Sequence, residues 1–301
     1  MARRSLLTIL VVTGLSLMVI TGIVLAVLRT GDGGGGSGFG LGERIAVIPI
    51  EGTITDDRET LKQIREFRED GSIKGYVIAI NSPGGSVGPS QSIFGELKKL
   101  REEDDRPVIA SIGGVGASGG YYIALGADSI YALPGSLTGS IGVIMELPEI
   151  RELMDKVGVE MRTIKSAEHK DVGSLYREMS PGDSAILNSL VQDVYDQFVE
   201  AVSTERKMSR QRLLPLADGR VLTGRQAQRN GLVDRLGNVQ DAIATAGRMA
   251  GLGSDPNIVY PKEDRPTLWD VVFGRTTVSA LERFMRPLET VSTPRLQYLV
   301  Y

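Results

Sequence analysis

The sequence predicts an α/β fold built on a parallel β-sheet. From Glu43 onward, short runs rich in β-branched residues alternate with longer stretches whose apolar residues recur at helical spacing. The short runs are apolar at consecutive positions, which is typical of strands buried on both faces of a parallel sheet. Parallel strands need crossover connections, so the alternation indicates right-handed strand–helix–strand units.

The elements follow one another along the chain without an internal repeat. The predicted strands are Ile45–Ile50, Tyr76–Ile80, Val108–Ile112, Ser129–Leu133 and Val159–Ser166. The predicted helices are Thr60–Glu69, Pro89–Glu103, Leu147–Val157 and Asp183–Lys207. In the first helix Leu61, Ile64 and Phe67 form an apolar stripe, with charged residues on the other face.

Composition excludes several classes of function. The chain has 301 residues, with 34 Lys plus Arg against 37 Asp plus Glu, and its net charge is −3. With no Lys/Arg-rich run, nucleic acid is not an expected partner. There is no cysteine and one histidine, which excludes disulfides, thiol nucleophiles and multi-histidine metal centres. We therefore expect no cofactor, and a serine triad would have to use His169.

The N-terminus predicts a membrane anchor. Residues 1–5 include Arg3 and Arg4, and the uncharged run Leu6–Leu28 that follows has 28 − 6 + 1 = 23 residues. As a helix this run would be ~35 Å long, enough to cross a ~30 Å hydrocarbon core. A cleaved signal peptide has a shorter apolar region of ~7–15 residues. The positive-inside rule places the N-terminus in the cytoplasm and the rest of the chain outside it, at the cell membrane.

Three segments follow the predicted anchor. Residues 29–42 are rich in glycine and are expected to form a flexible tether. Residues 43–262 are predicted to be the folded catalytic domain, and residues 263–301 a C-terminal extension. The apolar residues of this extension suggest an amphipathic helix, docked on a neighbour, on the membrane surface or on the chain's own core. Docking within an assembly is the preferred interpretation, because the segment offers only a thin basic stripe to a membrane surface.

Two glycine-rich turns are predicted at the carboxyl ends of neighbouring strands, where α/β folds bind ligands. They read NSPGGS over residues 81–86 and GGVGASGGYY over residues 113–122. Residues 114–119 match G-x-G-x-x-G formally, but no acidic ribose ligand follows in the expected context, and neither turn has the GK[ST] ending of a phosphate loop.

Ser118 lies among small residues in the second turn, where a helix is predicted to start. It is either a nucleophile at a strand-to-helix turn or an ordinary helix N-cap, and the sequence leaves both open. For a nucleophile, the amide that follows it would lie at a helix N-terminus and stabilise a developing oxyanion. A second amide would come from Gly85 in the first turn.

These motifs together resemble the signal peptide peptidase A family of Ser/Lys peptidases. The matching stretches are SPGG, ASGGYY, LTGSIGV, AEHKD, GRVLTGRQA and GLVD, and the resemblance covers roughly residues 43–250. Single copies of each motif are similar to the half-length members. The resemblance implies a Clp protease/crotonase-like fold of repeated β-β-α units. It also implies a ring-shaped homo-oligomer that degrades signal peptide remnants and other membrane-associated peptides.

The resemblance also assigns roles by position. It implies that Ser118 is the nucleophile, Lys170 the general base and Ser140 the hydroxyl that orients the lysine. It implies Gly85 and Gly119 as the oxyanion donors. The family pattern continues after the HKD segment with a proline-bearing stretch, and Leu175 replaces that proline here. The loop beside the base is therefore expected to have a different shape.

The lysine assignment has chemical requirements of its own. A lysine accepts a proton only as the neutral amine, and burial in an apolar site lowers its pKa from the usual ~10.4. We therefore expect Lys170 in an apolar cleft beside a hydroxyl. Asp171 should face away from Ser118, because successive side chains point to opposite faces in an extended segment. Lys165 is the nearest rival base, and His169 is the alternative for a triad with Ser118.

Two functions of other classes remain open. A membrane-anchored scaffold could keep this fold without catalysis. A crotonase-like acyl-CoA enzyme could use the same two glycine amides to hold a thioester oxyanion. The predicted anchor and its orientation argue against the acyl-CoA enzyme, because CoA is cytoplasmic.

Overall fold

The main sheet of the protein is parallel along its whole central path. A computed structural model describes residues 42–262 and 296–299. The central path contains β1 (Arg44–Glu51), β2 (Ile73–Ser82), β4 (Val108–Ala117), β5 (Ser129–Ala132), β9 (Arg235–Leu236) and β10 (Asn257–Val259). Its order is β10-β1-β2-β4-β5-β9, and every neighbouring pair in it is parallel. The predicted α/β fold with a parallel sheet is confirmed.

The remaining strands surround the carboxyl end of β4. They are β3 (Gly84–Ser86), β6 (Leu137–Gly139), β7 (Ile144–Met145), β8 (Val221–Thr223) and β11 (Leu296–Leu299). Strand β6 pairs with the last residues of β4 and with β8, while β11 lies between β3 and β7 in a small antiparallel sheet. The chain thus adds a second set of strands at the edge where the two glycine-rich segments lie.

Helices connect and cover these strands. They are α1 (Arg58–Glu69), α2 (Val87–Glu103), α3 (Gly119–Ala124), α4 (Arg151–Val157), α5 (Pro181–Glu205), α6 (Arg210–Leu213), α7 (Gly224–Arg229) and α8 (Val239–Met249). Single-turn 3₁₀ helices occupy Glu168–Asp171 and Leu214–Leu216. Helix α5 begins with a capping box between Ser180 and Asp183 and with a proline at its first position, both of which favour helix initiation.

The two faces of the sheet bury separate apolar clusters. Ile48 and Ile78 belong to the larger cluster with α2, α3 and α5, whereas Ile45 and Val77 belong to the smaller one with α8. Successive strand residues point to opposite faces, so burial on both sides requires the continuous apolar runs seen in the sequence. Each fully buried Ile side chain contributes roughly 1.5–3 kcal/mol relative to an exposed one.

Several local predictions were wrong. Residues 159–166, predicted as a strand, pair with no strand in the described ranges and are exposed, because this part of the chain runs outside the sheet. Helix α4 begins at Arg151, not at Leu147. Both glycine-rich turns are partly strand, since β4 continues to Ala117 and residues 84–86 form β3. Glycine disfavours strands in isolation, and here the neighbouring strands supply the pairing.

The predicted anchor Leu6–Leu28 and the tether 29–42, except Gly42, lie outside the described residues. Among residues 42–262 and 296–299, no helix is both long enough and apolar enough to cross a membrane. Of the C-terminal extension 263–301, only residues 296–299 are described. They form a strand that docks on β3 and β7 of the same chain. The apolar residues that suggested an amphipathic helix, between 268 and 284, lie outside the described residues.

Candidate active site

Ser118 occupies a strained turn between β4 and α3. Its φ of 52° and ψ of −114° lie in a region that residues with a side chain rarely adopt, at a cost of roughly 1–3 kcal/mol. The residue is completely buried, and its amide donates to the Gly139 carbonyl at 2.8 Å. Its Oγ has no hydrogen-bond partner in the described part of the chain and does not cap α3. A buried, unpaired hydroxyl on a strained turn is typical of a reactive side chain and not of an N-cap.

Ser140 lies beside Ser118 at the end of the adjacent strand. The parallel pairing of Ala117 with Gly139 brings the two serines to the same level, and Ser140 also has a positive φ, of 50°. Ser140 is buried, and its amide donates to the Arg220 carbonyl at 2.9 Å. It borders a cavity of about 440 Å³, whose lining also includes Ile141, Tyr195, Asp218 and Leu299.

The two predicted oxyanion donors are also close together. A Cβ atom placed on Gly119 would lie 3.2 Å from the Gly85 nitrogen, and one placed on Gly84 would lie 2.8 Å from the Gly119 nitrogen. These glycines let the β3 backbone approach the start of α3 more closely than any side chain would allow. The structure thus brings Ser118, Ser140, Gly85 and Gly119 together at one edge of the sheet.

The Gly85 amide faces β11. On one edge of β3, the Gly84 carbonyl accepts from the Ile54 amide at 2.8 Å and the Ser86 amide donates to the Ile54 carbonyl at 2.7 Å. Backbone groups alternate along a strand, so the amide of Gly85 points to the opposite edge, where its cross-strand partner is Tyr298 of β11. An extended segment therefore lies directly beside the candidate oxyanion site.

Tyr298 fixes this segment in an aromatic pocket. Its side chain is fully buried, stacks on Tyr122 with ring centroids 5.2 Å apart, and lies 4.6 Å from the Phe198 ring. Its hydroxyl donates to the Val194 carbonyl at 3.4 Å. The sequence interpretation missed this strand, for which the signal was only four residues long, within a segment predicted as a helix.

Lys170 is not brought to Ser118 within this chain. It lies on the single-turn helix Glu168–Asp171, none of whose residues is buried, and its side chain is exposed. The Ser118 Oγ has no partner in the described residues, so neither Lys170 nor His169 bonds to it here. The expectation of a lysine in an apolar cleft is thus not met within one chain, because the turn that carries Lys170 is not buried.

Asp171 is held by two cations. Its carboxylate accepts from Arg177 Nε at 3.0 Å, from Arg177 Nη2 at 2.9 Å and from Lys165 Nζ at 2.8 Å. These bonds, with Arg177 first, hold the pKa of Asp171 well below its usual range. The segment is a helical turn, so our expectation of an extended conformation around Asp171 is wrong. Lys165, the rival base, is already bonded to Asp171 and to the Glu168 carbonyl.

We predict that Gly85→Ala reduces peptide turnover by at least ~10²-fold, the typical cost of one lost oxyanion donor. A Cβ atom at this position would lie 2.1 Å from the Ile54 carbonyl oxygen, so β3 must move and take its amide out of place. Gly88→Ala is the matched control, because a Cβ there meets nothing within 4 Å. Steady-state kinetics on both variants, with circular dichroism, tests this. Equal turnover in the two variants would remove Gly85 from the site.

Sequence comparisons agree with the class that this fold and site suggest, a hydrolase with a serine nucleophile on an α/β scaffold. Residues 101–253 match the model of peptidase family S49. A candidate protease of Synechocystis sp. is 41% identical over 214 residues, which cover 71% of this chain and 76% of that protein. A candidate signal peptide peptidase SppA of Enterococcus faecium is 34% identical over 235 residues, covering 74% of this chain and 68% of that protein.

A longer relative matches as well. Protease 4 of Salmonella typhi is 36% identical over 247 residues, which cover 79% of this chain but 39% of the Salmonella protein. The chain belongs to peptidase family S49, the signal peptide peptidase A family. The resemblance seen in the sequence motifs is thereby confirmed.

Proposed function

We propose that this chain is a membrane-anchored serine endopeptidase that degrades cleaved signal peptides and other membrane-associated peptides outside the cytoplasm. The observation that carries the serine mechanism is the Ser118 hydroxyl, which is buried and unpaired within the described residues. It lies on a positive-φ turn beside Ser140 and the amides of Gly85 and Gly119. Membership of a peptidase family supports peptide-bond hydrolysis as the reaction.

In the proposed reaction, Ser118 Oγ attacks the scissile carbonyl carbon and its proton passes to the neutral amine of a lysine, Lys170, which Ser140 orients. The amides of Gly85 and Gly119 hold the resulting oxyanion. The protonated lysine then gives its proton to the leaving nitrogen as the C–N bond breaks, which leaves an acyl-serine. Water attacks this ester, the lysine accepts the water proton, and the Ser118 oxygen regains a proton as the peptide acid departs.

We infer that the lysine comes from a neighbouring copy in a ring-shaped homo-oligomer. Lys170 is exposed, and the segment that carries it exposes apolar side chains that the chain's own core leaves uncovered: Leu153, Val157, Val159, Met161 and Ile164. Apolar surface of this kind is typical of a protein–protein interface. A head-to-tail ring presents two different faces at each contact, so one copy's segment can reach its neighbour's Ser118.

The substrate is proposed to bind as an extended strand where β11 lies. Strand β11 pairs antiparallel with β3 and β7, and its Tyr298 stands opposite Gly85. A peptide in this place would gain main-chain hydrogen bonds from the sheet edges, while the pocket of Tyr122 and Phe198 would hold a large apolar side chain. The apolar cores of signal peptides supply such residues.

We predict that deleting residues 296–301 lowers KM for short apolar peptides while kcat changes little. If the groove is free in only about a tenth of the molecules, the apparent affinity for substrate is reduced about tenfold, and deletion restores it. Tyr260→Ala, at a half-exposed tyrosine outside the groove, is the control. Michaelis–Menten kinetics of the two variants and the wild type measure the effect. An unchanged KM after deletion would mean that substrate does not compete with β11.

The predicted Leu6–Leu28 helix remains part of the proposal. It would anchor the protein in the cell membrane with the N-terminus cytoplasmic, and the tether 29–42 would hold the peptidase domain near the peptides left by signal cleavage. The spiral of β-β-α units of the Clp protease/crotonase-like fold is proposed as the finer description of the domain. Strand β6, which follows β5 and returns to pair with the end of β4, supports it.

A comparison of substrates tests this function against its alternatives. The purified protein is offered an apolar peptide with internal quenched fluorophores and, separately, a set of acyl-CoA thioesters. We expect cleavage of the peptide at internal bonds and no turnover of the thioesters. Turnover of the thioesters alone would favour the crotonase-like enzyme, and an inert protein whose Ser118→Ala variant behaves identically would favour the scaffold.

A further inference from the structure

Arg177 connects the turn that carries Lys170 to the long helix α5. Its Nε and Nη2 atoms bind the Asp171 carboxylate at 3.0 and 2.9 Å, and Nη2 also donates to the Asp171 carbonyl at 3.2 Å. On its other side, Nη1 donates to the Asp183 carboxylate and, at 3.0 Å, to the Glu178 carbonyl. One planar guanidinium thus joins the carboxylates of Asp171 and Asp183.

The Asp183 end of this connection is rigid. Asp183 is buried, its amide donates to Ser180 Oγ at 3.1 Å, and its carboxylate accepts from the Ser180 amide at 3.1 Å. It lies in the first turn of α5, which buries Phe198 and Val199 in the core farther along. The pKa of Asp183 is lowered to about 2, chiefly by its hydrogen bond to Arg177, so it is ionised under all ordinary conditions.

The turn has little else to hold it. None of its four residues is buried, and the residues preceding it, 159–167, are exposed. Besides backbone bonds in and next to the turn, the hydrogen bonds described for it come from Arg177 and from Lys165. The position of Lys170 therefore depends on the charged side chains around Asp171.

The same contacts neutralise the negative charge of the Asp171 carboxylate. Lys165 and Arg177 supply two positive charges, and Asp171 and Asp183 supply two negative ones, so the cluster is neutral. A carboxylate next to Lys170 would favour its charged ammonium, which cannot accept a proton. The other charged or titratable groups around the turn are Glu168 and His169 on the turn itself, Glu178 after it, and Arg151 of α4, which pairs with Glu178 at 3.5 Å.

We propose that Arg177 is a positioning residue for the proposed general base: it fixes the turn that carries Lys170 and keeps the Asp171 carboxylate from pairing with the Lys170 ammonium. The inference rests on the proposed function, in which Lys170 accepts the Ser118 proton. It assigns a role to two residues that the sequence interpretation missed, Arg177 and Asp183. The capping box Ser180-x-x-Asp183 was readable in the sequence, but the link through Arg177 was not.

The test is the pH dependence of kcat/KM in three variants. In Arg177→Gln the Asp171 carboxylate is released toward Lys170, so the neutral amine forms at higher pH, and the midpoint of activity should rise by about one unit. In Asp171→Asn the cations Lys165 and Arg177 lose their counter-charge, so the midpoint should fall. In the double variant the carboxylate is absent, so the rise caused by Arg177→Gln should disappear. KM should change little in all three, because among residues 42–262 and 296–299 no hydrogen bond or ion pair joins the cluster to the groove.

Arg210→Gln is the control, since it breaks a different arginine–aspartate pair, with Asp196, which is exposed and lies away from this turn. A purely structural role for Arg177 would lower kcat at every pH without moving the midpoint, and that result overturns the inference. If Arg177→Gln does not fold, Asp171→Asn alone decides: a midpoint that rises or stays fixed overturns it. The failure of the proposed function is recognised separately, because Lys170→Ala would then retain activity.

Discussion

Ser118→Ala and Lys170→Ala should each lower peptide turnover by on the order of 10⁴-fold or more, whereas the double variant should be scarcely slower than either single one. The nucleophile and its base act as a unit, so removing either abolishes the same proton transfer and the same covalent intermediate. Ser118→Ala should fold normally, because the Ser118 Oγ makes no hydrogen bond in the described structure. Steady-state kinetics with a fluorogenic apolar peptide measures the loss.

His169→Ala is the control for this result, because Lys165 bonds to the Asp171 carboxylate and its loss would disturb the turn that carries Lys170. His169→Ala should also leave the rise of activity with pH nearly unchanged, because the group that must be neutral is a lysine amine. A collapse of activity in the histidine variant would support a serine triad. If Lys170→Ala retained near-normal turnover, the Ser/Lys dyad would be wrong, and Lys165 or His169 would become the candidate base.

The second large effect is the recovery of activity when two inactive variants are mixed. If each site combines Ser118 of one copy with Lys170 of its neighbour, equal mixing of Ser118→Ala and Lys170→Ala proteins should restore about a quarter of the sites. Those sites pair an intact serine with an intact lysine across one contact. The geometry that motivates this expectation is an unpaired Ser118 Oγ in a chain whose own Lys170 is exposed.

Subunit exchange has to be verified in the same sample, for example by energy transfer between differently labelled copies. Recovery of activity with a dependence on the mixing ratio supports the shared site. Verified exchange with no recovery at any ratio would show that no site uses the Lys170 of a neighbouring copy. The assignment of Ser118 as nucleophile would survive that outcome.

The central sheet could be predicted from the sequence because burial on both faces leaves a plain signal. Residues such as Ile45, Val77 and Ile109 are consecutive with apolar neighbours, and each lies in a strand of the structure. The predicted strand over residues 159–166 failed because a local sequence pattern does not show whether a partner strand exists. Likewise, β3 and the end of β4 are glycine-rich, and only long-range pairing makes them strands.

The candidate site could be predicted in part, because some of its residues belong to recognisable motifs. Ser118 and Gly85 belong to short motifs at strand ends, which parallel topology brings together. The link through Arg177 depends on a loop conformation. The position of β11 depends on pairing between residues 86 and 297, which lie more than 200 residues apart in the sequence. Neither leaves a local pattern, so only the structure reveals them.

The most direct measurement of the central claim, that Ser118 is an activated nucleophile, is covalent trapping. The protein is treated with a serine-reactive fluorophosphonate probe, and the modified peptide is identified by mass spectrometry in the wild type, Ser118→Ala and Lys170→Ala. The account predicts labelling at Ser118 alone in the wild type, at a rate that falls steeply in Lys170→Ala, and none at any serine in Ser118→Ala. Labelling of the wild type at another serine, or equally fast labelling of Ser118 without Lys170, would contradict it.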